Sequence, residues 1–256
     1  MILAVLQARS SSSRLPGKVL KPILGKPMLE RQIERILRAR AIDKLVVATS
    51  TDQGDDTIAE LCGRIGVDCF RGSLDDVLDR FFQAARPHKP EYVVRLTGDC
   101  PLADPTVISA AIQFAVEGNY DYASNTLQPT YPDGLDVEVC RYSKLEEVWR
   151  NATMKSQREH VTPYFYQNPQ LFKLGSMTQQ TDLSALRWTV DNADDFALVT
   201  SIFEALYPAN PAFGTEDVLR FLQSRPELSG MNATHSRNEG YQKSLAEDIA
   251  VTIPQK

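Results

Sequence analysis

LQARSSSSRLPGK, residues 6–18, is the stretch on which the reading of this chain turns. The residues before it, Met1-Ile2-Leu3-Ala4-Val5-Leu6, are apolar without interruption and stop at Gln7, the pattern of a first strand buried on both faces of a parallel sheet. Beyond Gln7 comes a loop with Arg9, four consecutive serines, Arg14, a Pro16-Gly17 turn and Lys18. A triphosphate carries about four negative charges, so its site needs fixed cations and short donors that approach closely, and this loop supplies both. It is not a Walker loop, because Val19 follows Lys18 where Ser or Thr would stand and Pro22 interrupts soon after.

The 256 residues, 43% hydrophobic and 24% charged, have the composition of an ordinary soluble protein with a sizeable core. We read residues 1–229 as a single domain and residues 230–256 as a polar tail that is either frayed or laid against another surface, with a weak helical segment near Leu245. No run approaches the ~20 apolar residues of a membrane span, and the N-terminal run is too short for a secretory signal and lacks a basic region before it, so a cytoplasmic protein is expected. Cys62, Cys69, Cys100 and Cys140 form no C-x-x-C pair and read as reduced thiols, which leaves the sequon Asn232-Ala233-Thr234 without meaning. The net charge of -5 argues against general nucleic-acid binding, yet the first fifty residues hold ten Lys or Arg against only Glu30, Glu34 and Asp43. Phosphates belong to that basic part, while Arg31, Arg35, Arg38 and Arg40 read as the solvated face of one surface helix.

Strand and helix alternate along the first half. A helix is expected from Pro27 to Arg40, a strand over Lys44–Ser50, a helix over 55–64, a strand over 67–70 ending at Arg71, and a helix over 74–85 with Ser73 and Asp76 as a capping pair. The strand Glu91–Thr97 delivers Gly98-Asp99-Cys100-Pro101 at its carboxyl end, where open α/β sheets place ligands. After the helix 105–117 the rhythm changes: 120–125 and 135–141 are strand-like with no full helix between them, which implies an antiparallel excursion. Helices over 142–151 and 157–167, a strand over 171–176, a strand over 185–190 delivering Asp191, and helices over 193–206 and 215–224 complete the chain.

Three clusters carry chemistry. Asp99 follows a glycine that lets a ligand approach the backbone, and it can hold a hard cation against phosphate oxygens; Asp104, before Pro105, reads as a helix cap. Asp191 in RWTVDNADDF is the second candidate metal ligand, since magnesium takes one or two carboxylates together with phosphate oxygens and water, and Asp194 and Asp195 read as helix N-terminal residues. In YPDGLDVEV, residues 131–139, alternation puts Asp136 and Glu138 on one face, too polar for a core. In QREHVTPYF, residues 157–165, consecutive Arg158, Glu159 and His160 fan over different helix faces.

The pattern LQARxxSxRLPGK, followed by KPILGKPML, resembles the opening of the sugar-acid cytidylyltransferases, the enzymes that make CMP-Kdo and CMP-sialic acid, and most closely their SpsF-type branch, named for spore-coat polysaccharide biosynthesis. The resemblance covers about residues 1–225. It implies a mostly parallel, Rossmann-like α/β sheet flanked by helices, with nucleotide-diphospho-sugar transferase (GT-A-like) architecture. It also implies transfer of CMP from CTP to a sugar, in particular a 2-keto sugar acid, with release of pyrophosphate. Arg9, Arg14, Lys18, Ser13, Ala8, Thr97 and Gly98 would then hold the nucleotide, with Arg71 as a contact to cytosine or ribose. Asp99 and Asp191 would hold Mg2+, so that Arg9, Lys18 and Asp99 carry catalysis. Gly134, Asp136, Glu138, Arg158, Glu159 and His160 would line the acceptor pocket, Arg158 holding a carboxylate. The partners implied are CTP and a small sugar, with no nucleic acid and no membrane, and a homodimer is a further expectation. Thr97-Gly98 replaces the glutamine-containing segment of the Kdo branch, which leaves base recognition and the acceptor open, and the general base is open among a metal-bound oxygen, Glu159 and His160. Two rivals stand. A glycosyltransferase on a similar fold usually shows an Asp-x-Asp motif, which Asp99-Cys100-Pro101 lacks, and a noncatalytic binder need not keep Arg9, Arg14, Lys18, Asp99 and Asp191 together.

Overall fold

The structure, a computed structural model, describes residues 1–232, 235, 237–249 and 251. In chain order the strands are β1 (Ile2–Gln7), β2 (Pro22–Ile23), β3 (Lys26–Pro27), β4 (Lys44–Ser50), β5 (Asp68–Gly72), β6 (Tyr92–Thr97), β7 (Tyr122–Ser124), β8 (Glu138–Arg141) and β9 (Leu174–Ser176). Seven of them make one sheet in the order β5-β4-β1-β6-β8-β7-β9, and β2 and β3 form a small antiparallel pair. Within the large sheet β5, β4, β1 and β6 are parallel, while β8 runs against both β6 and β7. The excursion expected from residues 120–141 is therefore present, and it inserts β8 between β6 and β7.

Apolar runs without alternation arise because both faces of the sheet are covered. Ala4 and Leu6 of β1, Leu45 and Val47 of β4, and Val94 and Leu96 of β6 belong to one core, and Leu3, Val5, Val46, Ala48 and Val93 to the other. Helices α1 (Met28–Ile36), α2 (Asp56–Ile65), α4 (Pro105–Glu117), α8 (Ala193–Leu206) and α9 (Thr215–Gln223) supply the first core; α3 (Val77–Ala85), α5 (Tyr142–Asn151) and α7 (Pro163–Gln167) supply the second. Fully burying each Val, Leu or Phe is worth about 1.5–3 kcal/mol, so these two layers fix the sheet's orientation. Short helices α6 (Lys155–His160), α10 (Pro226–Ser229) and α11 (Glu239–Ala246) complete the set. Among the described residues no helix is long and apolar enough to cross a membrane.

Several expectations are corrected. Residues 185–190 do not form a sheet strand: only an isolated bridge joins Arg187 to Asp133, and Val190 N donates to the Asp99 carbonyl at 2.8 Å. The helix expected over 157–167 breaks at Val161, whose φ of 74° and ψ of −56°, with Thr162 N donating to His160 O at 2.9 Å, describe a γ-turn that a β-branched residue adopts only at a cost. Arg31 and Arg35 are not solvated. Arg35, 2% exposed, donates to the carbonyls of Leu102, Ala103 and Phe213 and lies over the Phe213 ring. Arg31 donates to the carbonyls of Ile23 and Leu24 and covers Tyr207. These arginines are internal rivets between α1 and its neighbours, while Arg38 and Arg40 are exposed.

Candidate active site

The loop after β1 is held open by its own backbone. Gly17, at φ 66° in the left-handed region, donates its N–H to Ser10 O at 2.9 Å and turns the chain into the single helical turn Lys18–Leu20. Ser10 anchors the other side: its N–H and hydroxyl both reach Asp55 Oδ1 at 2.7 Å. Asp55 is 1% exposed and also accepts from the Ser50 hydroxyl, and although burial works against its charge these donors hold its pKa below the usual range. Nothing in the sequence pattern singled out Asp55.

Lys18 swings out of this turn and is buried. Its Nζ donates to Val190 O at 2.7 Å, Asp191 Oδ1 at 2.9 Å and Asp99 Oδ2 at 3.3 Å, so the two aspartates converge on one point. Burial opposes the ammonium, but both carboxylates outweigh it and raise its pKa. Burial likewise opposes the Asp99 carboxylate, and Lys18 together with a hydrogen bond from Thr97 brings its pKa down to about 2. Gly98 lets the end of β6 pack against the end of β1, since a Cβ there would stand 2.9 Å from the Gln7 carbonyl oxygen. Asp191 is oriented from the far side by Arg187, which at 6% side-chain exposure binds Asp191 Oδ2 and Asp133 Oδ2 at 3.0 Å and Asp195 Oδ1 at 2.9 Å. Asp195 is thus more than a helix-end residue: fully buried, it caps α8 through the Asp191 and Asn192 N–H groups and holds Arg187. Two converging carboxylates fit a hard divalent cation that completes its shell with phosphate and water oxygens. No group of three or more acidic, His or Cys side chains arranged for a metal occurs among the described residues.

Two clefts meet at these aspartates. One, of about 630 Å3, is lined by Ala8, Arg9, Ser13, Arg14 and Lys18 of the loop region, by Gly98 after β6, and beyond them by Arg80, Arg95, Lys155 and Lys243. The other, of about 460 Å3, is lined by Asp133, Asp136, Glu138, Thr126 and Tyr166. Arg14, Arg95, Thr97, Asp99, His160 and Asp191 border both. The cation-rich and acid-rich compartments are therefore adjacent and share the carboxylate pair.

The remaining candidates separate. Glu159 lines the first cleft and His160 both, each bonded to Ser244 of α11. Burial lowers the His160 pKa, with Glu159 opposing the shift. Asp136 lines the second cleft and pairs with Arg237; burial pushes its carboxyl up to about 7 despite that arginine. Glu138 also faces the second cleft, but its oxygens already accept from Arg95, from Tyr122 at 2.6 Å and from Thr162 at 2.5 Å. Gly134, at φ 110°, lines neither cleft; it lets the Trp188–Thr189 backbone pass close behind. Arg158, expected in the acceptor pocket, is 5% exposed, lines neither cleft, and grips Asp76, the cap of α3, at 2.6 and 3.0 Å. Arg71, expected at the cytosine or ribose, lines neither cleft and binds the Ser50 and Asp52 carbonyls and Asp56 on the far side of β4.

Sequence reasoning missed Arg95, Arg80 and the segment after residue 230. Arg95 had a signal, a charge inside the otherwise apolar run of β6. The later segment had none beyond weak helicity, yet it crosses the site: Glu239 binds Arg14 at 2.9 Å, Asp248 accepts from the Ser156 N–H and hydroxyl, and Lys155 N donates to Ile249 O. Asn232 of the sequon is buried against Arg187 and Asp195, while Ala233 and Thr234, like residues 236, 250 and 252–256 of the tail, lie outside the described residues.

Comparison with known proteins places the chain in a family. The cytidylyltransferase family model matches residues 3–208. The chain belongs to the cytidylyltransferase family. It is accordingly a nucleotidyltransferase. It is 35% identical to the uncharacterized protein MJ1063 of Methanocaldococcus jannaschii over 94% of this chain and 98% of that one. It is 31% identical to the spore coat polysaccharide biosynthesis protein SpsF of Bacillus subtilis over 89% and 96%. Among solved structures, a cytidylyltransferase from Leptospira borgpetersenii superposes with a TM-score of 0.86 at 29% identity, covering 92% of this chain and 99% of that one. The CTP complex of CMP:2-keto-3-deoxy-manno-octonic acid synthetase shares the fold, with a TM-score of 0.61 at 18% identity over 79% and 98%. Outside the residues 3–208 that the family model matches lies the segment that crosses the site.

Proposed function

We propose that the protein transfers CMP from CTP to a 2-keto sugar acid, releasing pyrophosphate, and that its product feeds a surface polysaccharide. The observation that carries this reading is the carboxylate pair Asp99 and Asp191, gathered on Lys18 at the seam between a cation-lined cleft and an acid-lined one. The first compartment suits a triphosphate and the second a polyhydroxylated acceptor. The names of the relatives support the polysaccharide, since SpsF is a spore coat polysaccharide protein, and the CTP complex of a neighbour on the same fold supports the nucleotide. We treat residues 1–229 and the described part of the segment after them as one catalytic unit.

Arg9, exposed and without a hydrogen bond or ion pair among the described residues, and Arg14 offer charge to the β- and γ-phosphates. Ser13 and the loop N–H groups fix phosphate oxygens, with Ala8 and Gly98 lining the same cleft beside them. Lys18 stabilises charge that grows on the leaving pyrophosphate. Asp99 and Asp191 would hold magnesium, which would supply positive charge to neutralise the reacting phosphate. His160 borders both clefts, and its lowered pKa leaves the imidazole neutral and able to take the acceptor's proton. Asp136 can accept from sugar hydroxyls.

The test is pyrophosphate release by the purified protein with each nucleoside triphosphate, magnesium and a panel of 2-keto sugar acids. Release requiring both CTP and an acid acceptor is expected. Consumption of a nucleotide sugar instead, or equal use of all four triphosphates, would overturn the reading.

A further inference from the structure

An anionic acceptor entering a compartment lined by Asp133, Asp136 and Glu138 needs a cation of its own, and Arg158, which the sequence suggested, is spent on Asp76. Among the described residues three arginines line that compartment: Arg14, Arg95 and Arg187. Arg187 is committed to Asp133, Asp191 and Asp195, and it does not reach the other cleft. Arg14 sits on the phosphate loop with one Nη on Asp191 and the other on Glu239.

Arg95 differs from both. Its Nε donates to Gln7 Oε1 at 2.6 Å and its Nη1 to Glu138, while no hydrogen bond among the described residues engages Nη2. The sheet dictates this posture. Val93, Arg95 and Thr97 share one face of β6, Arg95 is in register with Glu138 on β8, and Gln7 lies beside Thr97 on β1. Glu138 is itself fixed by the Tyr122 and Thr162 hydroxyls, and the γ-turn at Val161 sets Thr162 there. The guanidinium is therefore preorganised on rigid strands, with one end left over, at the seam of the two clefts.

Position decides what that end meets. In a 2-keto sugar acid the carboxylate is attached to the same carbon as the anomeric hydroxyl that attacks phosphorus. Its partner must accordingly lie beside the reacting centre and not deep in the sugar compartment. We propose that Arg95 reads the acceptor's carboxylate, with Gln7 and Glu138 as positioning residues that hold its plane. The assignment rests on the cytidylyl transfer to a sugar acid proposed above, and it makes Arg95 the residue that separates acids from neutral sugars.

The test compares 3-deoxy-manno-octulosonate or N-acetylneuraminate, whichever turns over, with its methyl ester, in the wild type, in Arg95→Lys, and in the double variant Arg95→Met/Glu138→Gln, which leaves no buried carboxylate without a partner. Removing one member of a charged contact in a desolvated site should raise KM for the acid by about 100-fold. KM for the ester and the CTP Kd, measured by calorimetry, should move less than about threefold, a separation that a folding defect would not give. The assignment is overturned if the variants keep the preference for acid over ester, or if acid, ester and CTP weaken together, which would place Arg95 on a phosphate. If the wild type uses no 2-keto sugar acid, the underlying reading fails instead, and the assignment falls with it.

Discussion

Arg187→Met is the most exacting perturbation of the site's scaffold. The guanidinium binds three carboxylates, and of these Asp195 is fully buried. Burial opposes the Arg187 charge, but Asp195 and Asp133 more than offset it and raise its pKa. Removing one partner of a buried pair costs about 3–5 kcal/mol, chiefly because the other charge is left uncompensated. Asp195 would keep the Asp191 and Asn192 N–H bonds at 2.9 Å and the Asn232 amide at 2.8 Å, which places the loss near the lower bound, about 3 kcal/mol. For a chain of this size that is roughly 6–12 °C in Tm. Urea unfolding at fixed m-value measures it, and Arg187→Met/Asp195→Asn should recover at least about 1 kcal/mol relative to additivity. The pH dependence has a definite sign. Burial works against the Asp195 charge, but Arg187 and the N–H donors lower its folded pKa, so its stabilisation is present above the unfolded value and lost as pH falls toward the folded one. Without Arg187 that stabilisation is missing, so the variant's deficit should be largest at neutral pH and shrink below about pH 4. A neutral-pH loss under about 1 kcal/mol, or strict additivity of the double variant, would refute the account of Arg187 as the support of Asp191.

Single contacts set the other expected outcomes. Lys18→Met leaves Asp99 and Asp191 facing each other without their ammonium, so Tm should fall in chelator and recover with millimolar magnesium, while kcat drops as well as KM rising; a loss in KM alone would assign Lys18 to uniform binding. Asp99→Asn and Asp191→Asn should each cripple turnover at limiting magnesium with an unchanged circular dichroism spectrum, and a variant that keeps near wild-type activity there identifies a residue that is not a ligand. Asp136, with a carboxyl raised to about 7 by burial, binds its proton in the folded chain well above the unfolded pKa, so stability should decline as pH rises from about 4 to 7, and Asp136→Asn should flatten that slope in a pH series of urea titrations. Glu239→Ala frees one Nη of Arg14 from a carboxylate that competes with phosphate, so calorimetry should show severalfold tighter CTP binding; weaker binding would mean that Glu239 positions Arg14.

The sheet was legible because its signals are local. An apolar run needs two covered faces, and a strand ending in Gly-Asp-Cys-Pro needs a loop at the carboxyl edge, so the residues of β1 and β6 announce both strand and site. The change of rhythm after residue 117 announced the reversed β8 for the same reason. Arg31 and Arg35 misled because a basic residue on an amphipathic helix is ordinarily solvated, and only the tertiary position of the Leu102, Ala103 and Phe213 carbonyls makes burial of Arg35 favourable. Residues 185–190 misled because an extended backbone can satisfy its hydrogen bonds with a loop, here Asp133 and Asp99, as well as with a sheet edge.

The arginines show why site membership resists reading from sequence. Each buried guanidinium must find acceptors, and whether those acceptors belong to the protein or to a ligand depends on residues far along the chain. Arg158 finds Asp76, 82 positions away, and the Trp149 carbonyl, so all its guanidinium nitrogens are engaged internally, whereas Arg71 gives Nε and one Nη to the Ser50 and Asp52 carbonyls and Asp56 and lines neither cleft. Arg14 is shared between Asp191 and Glu239, 225 positions from it, a competition that no motif in the first fifty residues could disclose. Arg95 meets partners on two neighbouring strands and still has a donor end facing the seam. The distinguishing quantity is donor capacity left after the fold has taken its share. By that criterion a charge in the middle of an apolar central strand, a position that costs stability unless it is compensated, outranks an arginine that merely stands in a matching motif.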